Sequence, residues 1–117
     1  MSYDVSFKVR VAGTNTYIPI RYVANITWNL GRMIRAATGL EWVNEANNGR
    51  CIDVEPYIWH GICELIMYPE QYEQYEAPNG YGTVKGCLTF LKTIHEEWKN
   101  VKQEYPELRE HITFWIE

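Results

Sequence analysis

Residues 84–105 read VKGCLTFLKTIHEEWKNVKQEY, and their spacing decides the architecture. Val84, Cys87, Leu88, Leu91, Ile94, Trp98, Val101 and Tyr105 step by three or four, so one apolar stripe runs along about six turns of helix. A helix with such a face must lie across another apolar surface. Thr83 can cap its start, and Pro106, which lacks an N–H, ends it.

The surface that receives this helix is written at the two ends of the chain. Val5, Phe7, Val9 and Val11 alternate with Ser6, Lys8 and Arg10, the period of two that sets one face of a strand on a core. Ala12-Gly13-Thr14-Asn15 supplies turn chemistry, and residues 16–23 resume with Ile18, Ile20 and Tyr22 on one face, which reads as a hairpin. Pro19 cannot donate to a ladder and puts this second strand at a sheet edge. Ile112-Thr113-Phe114-Trp115-Ile116 alternates again and is expected to return as a strand beside residues 4–11.

Two further helices are predicted between these segments. Thr27 can cap one that carries Leu30, Met33, Ile34 and Ala37 inward, turns Arg32 and Arg35 outward and ends at Gly39. Asp53 can cap the other, which has Pro56 in its first turn and Ile58, Ile62, Leu65 and Ile66 on its core face, and which Tyr68-Pro69 stops. The order β-β-α-α-α-β predicts an α+β fold. A small antiparallel sheet, made of the N-terminal hairpin and the C-terminal strand, is packed on one face by about three helices.

Composition fits a single domain spanning residues 1–117. With 46% hydrophobic, 22% charged and 15% aromatic residues, disordered and low-complexity classes are excluded. No apolar run approaches the roughly 18 residues of a membrane span, and residues 1–20 lack a basic start followed by an apolar stretch, so a cytoplasmic protein is expected. Eleven Lys/Arg against fifteen Asp/Glu give a net charge of −4, which supplies no general attraction to phosphate backbones or anionic lipid. Cys51, Cys63 and Cys87 form neither a disulfide framework nor a zinc signature. Cys63 and Cys87 read as small core hydrophobes, and Cys51 lies beside Arg50.

Candidate binding residues gather outside the apolar stripes. Asn25, Thr27, Trp28 and Asn29 place amides, a hydroxyl and an indole at a helix start, either as a ligand mouth or as caps and packing. Arg32 and Arg35 could add charge for a phosphate or carboxylate, or be solvated. Trp42, Asn44, Asn47 and Asn48 fall in a long connection, residues 40–53, whose aromatic and amide content suits a planar polar ligand or a partner surface; Asn47-Asn48-Gly49 also suits a plain turn. Asn79-Gly80-Tyr81-Gly82, followed by Thr83, sets two glycines before a helix but lacks the Lys-Ser/Thr of a phosphate-cradling loop. His60 with Glu64, and His95 with Glu96, leave a metal or acid–base pair open. No cofactor motif is present. Trp28, Trp42, Tyr68, Tyr72, Tyr75, Tyr81 and Trp115 fall on loops, helix ends or an outer strand face, where such residues either anchor partners or complete a scant core.

The segments Asn25-Ile26-Thr27-Trp28-Asn29, Gly39-Leu40-Glu41-Trp42 and Tyr75-Glu76-Ala77-Pro78-Asn79-Gly80-Tyr81-Gly82-Thr83 resemble a small-protein family recurrent in bacteriophages and prophages of Gram-positive bacteria. The resemblance covers most of the chain and implies an accessory protein acting inside a bacterial host; it carries over no catalytic residue. By analogy with small phage proteins that block host defences, the first expectation is a non-enzymatic inhibitor that binds a host immune protein through Trp28, Trp42, Asn47 and Tyr81. The second is a sponge for a nucleotide immune signal, a cyclic nucleotide or ADP-ribose derivative, with bases on Trp or Tyr and phosphates at Arg32 or Arg35. The third is a small hydrolase or metalloenzyme using His60, Glu64 and His95. A homodimer through the edge strand at residues 16–23 is a further open expectation.

Overall fold

The computed structural model of the chain describes residues 2–40 and 54–117. Strand β1 (Ser2–Arg10) is central, with β2 (Tyr17–Thr27) on one side and β3 (Ile112–Ile116) on the other, both antiparallel to it. The helices are α1 (Gly31–Thr38), α2 (Glu55–Met67), the single turn α3 (Pro69–Tyr72) and α4 (Val84–Glu104). This is the expected α+β arrangement, with the C-terminal strand against residues 5–9 and the Pro19 strand at an edge.

Val5 and Phe7 from β1, with Ile112, Phe114 and Ile116 from β3, form the sheet side of the core; Leu91, Ile94, Trp98 and Val101 of α4 form the helix side. The Phe7 ring sits 5.1 Å from Trp98 and 5.5 Å from Phe114. Each such buried side chain contributes roughly 1.5–3 kcal/mol, so the sheet–α4 contact is a large source of stability, beside the packing of α1 and α2 on the same core. Arg21 ties the edge strand down by pairing with Glu97 at 3.1 Å and with Glu104 on the same helix.

Strand β2 departs from simple alternation. Its register against β1 shifts between Val5 and Ser6 and again between Phe7 and Lys8, so two irregularities interrupt the ladder. Each inserted residue reverses which side chains face inward. Ile20 packs on the core while Ile18 and Tyr22 stand exposed, instead of all three sharing a face. Pro19, unable to donate, lies beside the second shift.

The remaining departures have local causes. Thr27 ends β2 and caps a 3-10 turn, Trp28–Leu30, that precedes α1, so the first helix begins later than Thr27 implies. Ile66 is exposed because it lies at the flank of the α2 face that carries Ile58, Ile62 and Leu65, not at its centre. Tyr72 is buried; burial, with the Glu64 carboxylate and Tyr75 alongside, pushes its phenol up from the ordinary value. Cys87 is buried and its thiol pushed up to about 12 by desolvation, which keeps it neutral and unreactive, while Cys63 is half-buried. The expected Asp53 cap and Cys51 lie outside the described residues.

Helices α1, α2 and α4 meet at Gly61, where an added Cβ would stand 2.6 Å from Thr38 Cγ2 and 2.9 Å from Leu91 Cδ1. The Thr38 rotamer cannot yield freely, because its hydroxyl donates to Ile34 O at 2.6 Å and accepts from Leu40 N at 3.1 Å. Gly61→Ala is therefore expected to cost about 1–3 kcal/mol, read as a lowered midpoint in thermal or urea unfolding. A midpoint equal to that of the parent chain would show that the helices are not packed this closely.

Candidate functional site

The end of β2, the start of α1 and the segment before α4 converge on one side of the molecule. Their meeting point is built by short-range chemistry. Asn79 Oδ1 accepts from Tyr81 N at 3.0 Å, and Gly80 and Gly82 both adopt positive φ of 81°. Glu76 Oε2 accepts from Val84 N at 2.7 Å, and Thr83 Oγ1 accepts from Gly86 N at 3.0 Å. The carboxylate and the hydroxyl together satisfy free donors at the α4 N-terminus, and Glu76 closes the loop 77–83 at its base. Gly82 is pressed onto the 3-10 turn: a Cβ there would lie 3.0 Å from Asn29 Cβ and 3.1 Å from the Asn29 carbonyl carbon and oxygen.

Two adjoining hollows result, with Trp28 and Asn29 lining both. The larger, about 640 Å³, lies between α1 and residues 74–78 and has Tyr3, Trp28 and Tyr75 as aromatic walls, with Arg32, Arg35, Asn29 and Gln74 as polar groups. The smaller, about 410 Å³, runs along the end of β2 and is lined by Ser2, Asn25, Thr27, Asn79 and Tyr81 as well. Trp28 is 51% and Tyr81 66% exposed, so each presents a free ring face at a rim.

Among the described residues, charge in the larger hollow is unbalanced. Arg32 and Arg35 sit one turn apart on α1, both exposed, and neither forms an ion pair among the described residues. The Arg32 guanidinium lies 5.7 Å over the Tyr75 ring, a cation–π contact that holds it at the wall. Glu76 is the only carboxylate among the described lining residues, and it is engaged at the positive end of α4.

The structure thus brings Asn25, Thr27, Trp28, Asn29, Arg32, Arg35, Asn79 and Tyr81 together around two connected hollows. Their individual tasks differ. Asn25 lies in β2 rather than at a helix entrance, and its amide donates to Ser2 Oγ at 3.0 Å and Asp4 Oδ1 at 2.9 Å. Thr27 accepts from the Asn29 amide Nδ2 at 3.1 Å and from its backbone N–H at 3.4 Å. Thr83 lines neither hollow among the described residues and acts as a helix cap. Trp42, Asn44, Asn47 and Asn48 lie outside the described residues. Tyr3, Gln74 and Ser2 were not singled out by the sequence, because what brings them here is the pairing of β1 with β2 and the turn after α3. Trp115, on the outer sheet face, carries the Lys8 ammonium 4.2 Å above its ring and stands apart from the hollows.

The histidines take other positions. His60 Nε2 is 3.7 Å from Glu64, and His95 Nε2 is 3.9 Å from Glu55. Among the described residues no group of three or more His, Cys, Asp or Glu side chains could hold a metal ion. No described helix is long and apolar enough to cross a membrane.

Thr83→Ala should lower stability by about 1 kcal/mol through loss of the cap, while leaving any ligand affinity of the hollows unchanged. Paired thermal melts and titrations check this; an affinity loss exceeding the stability loss would make Thr83 a contact residue.

No protein-family model, curated protein or solved structure matches the chain.

Proposed function

We propose that this chain is a phage-borne, non-enzymatic binder that works in the cytoplasm of a bacterial host, and that it blocks a defence system by sequestering a nucleotide immune signal. The observation that carries the reading is the larger hollow, where two guanidiniums without carboxylate partners among the described residues stand beside an indole and two phenols. Guanidiniums hold phosphate oxygens with paired N–H groups, and aromatic faces stack on bases whatever their identity. A volume of about 640 Å³ suits a ligand of nucleotide size. Amides at Asn29 and Gln74 can read the polar edge of a base. The described lining offers groups that recognise and holds its one carboxylate in a structural bond, an arrangement suited to retention rather than turnover.

Calorimetric titration with cyclic dinucleotides, cyclic trinucleotides and ADP-ribose tests this. Binding of one class, with the ligand recovered intact after denaturation, is the expected result; no heat with any of them overturns it.

Masking of a host immune protein is the second reading, and the exposure of Tyr81 and Trp28 on one rim favours it. It requires a stoichiometric complex on mixing with the defence protein in the absence of nucleotide. Co-purification from infected host cells separates the two readings.

A further inference from the structure

We infer that the smaller hollow is a second subsite for the same ligand, and that it takes an uncharged pentose joined through phosphate to the nucleoside in the larger hollow. The ligand class is then a nucleoside diphosphate linked to a sugar, as in ADP-ribose; this rests on the larger hollow holding a nucleotide. The two hollows share Trp28 and Asn29, so a ligand laid over that common wall reaches both. Their chemistry is unequal. Among the described residues both guanidiniums belong to the larger hollow, of about 640 Å³, while the smaller, of about 410 Å³, is lined by amides, hydroxyls and two rings with no charged side chain.

Three asparagines of the smaller hollow decide what fits it. Asn25 donates its amide N–H groups to Ser2 Oγ at 3.0 Å and Asp4 Oδ1 at 2.9 Å, and Asn29 donates to Thr27 Oγ1 at 3.1 Å; in each the side-chain carbonyl oxygen has no partner among the described residues. Asn79 is the reverse case. Its Oδ1 accepts from Tyr81 N at 3.0 Å, which leaves the NH₂ group without a partner among the described residues. The bonds already made hold each amide in place, and the free ends are two acceptors and a donor. A phosphate oxygen only accepts, so the carbonyl oxygens repel it. A sugar hydroxyl both donates and accepts and suits all three, while the C–H face of a pentose can lie against the rings of Trp28 and Tyr81, which are 51% and 66% exposed. A cyclic dinucleotide divides its phosphates between two like halves, whereas this site has its cations on one side only and its two hollows differ in volume. An unequal ligand fits better.

Calorimetry on the full chain with ADP-ribose, ADP and a cyclic dinucleotide tests this. ADP-ribose should bind at least about tenfold more tightly than ADP, the margin that a few neutral hydrogen bonds to the pentose supply. ADP carries more negative charge on its diphosphate, so the margin cannot come from the arginines. Tyr81→Ala and, separately, Asn79→Ser, which keeps an oxygen for the Tyr81 N–H but removes the amide, should each cut the margin by at least about threefold and leave the affinity for ADP as in the parent chain. Equal affinity for ADP and ADP-ribose overturns the pentose subsite and leaves the nucleotide reading of the larger hollow standing. So does a preference for the cyclic dinucleotide, or a loss in either variant that falls equally on ADP and ADP-ribose. No heat with any nucleotide overturns both.

Discussion

Gly82→Val is expected to lower stability by about 2–5 kcal/mol, the largest effect of any single substitution in the loop before α4. Two costs add. The φ of 81° at Gly82 lies in the left-handed region, which a β-branched residue reaches only under strain. The new Cβ would also press to 3.0–3.1 Å on Asn29, two of whose three contacting atoms belong to backbone that cannot rotate away. For a domain of this size the midpoint should fall by roughly 10–20 °C. Gly80 is the internal control: it has the same φ, and nothing lies within 4 Å of its hypothetical Cβ. Gly80→Val should therefore carry only the backbone strain, and the difference between the two variants measures how firmly the loop rests on the 3-10 turn. Equal midpoints would mean that the loop does not dock there, and the rim formed by Tyr81 and Trp28 would lose its support.

That contact also shows where sequence reading stops. Elements whose side chains face one way through regular hydrogen bonding were legible: β1 by its alternation, β3 likewise, and α4 by its three-and-four spacing. Phe90 escaped the α4 stripe although it is buried, because the stripe is wider than a strict seam and takes in a flanking position. The inner face of β2 was not legible, since two register shifts against β1 depend on the partner strand rather than on the order of residues in β2. Tyr72 was open between a partner anchor and a core residue, and it is core, because the α3 turn lies against α1 as well as α2. At the site, Trp28, Arg32 and Arg35 stood out by residue type and helical position. Tyr3 and Gln74 did not, for they reach the hollow through strand pairing and a short turn that no spacing announces. Asn79 and Thr83 carried visible turn and cap chemistry, and the structure gives each a local bond of that kind.

Replacing both Arg32 and Arg35 with alanine should abolish nucleotide binding and leave the fold almost untouched. Hydrogen bonds to charged groups are worth about 1.5–3 kcal/mol each, so each guanidinium that grips a phosphate accounts for roughly 10–100-fold in affinity. The two together should exceed the range in which calorimetry detects the complex. Stability should fall by no more than about 1 kcal/mol, because both side chains are exposed, form no ion pair among the described residues, and lose only the contact of Arg32 with the Tyr75 ring. Lysine at either position keeps the charge but not the planar fork, and should recover part of the affinity. Trp28→Ala should cost about 1–3 kcal/mol of binding through lost stacking, and its effect should be insensitive to salt. Binding by the parent chain and by the lysine variants should weaken as ionic strength rises. A double-alanine variant that binds as the parent does would place the ligand elsewhere. The stoichiometric capture of a defence protein would then have to be explained by the Trp28 and Tyr81 rim alone.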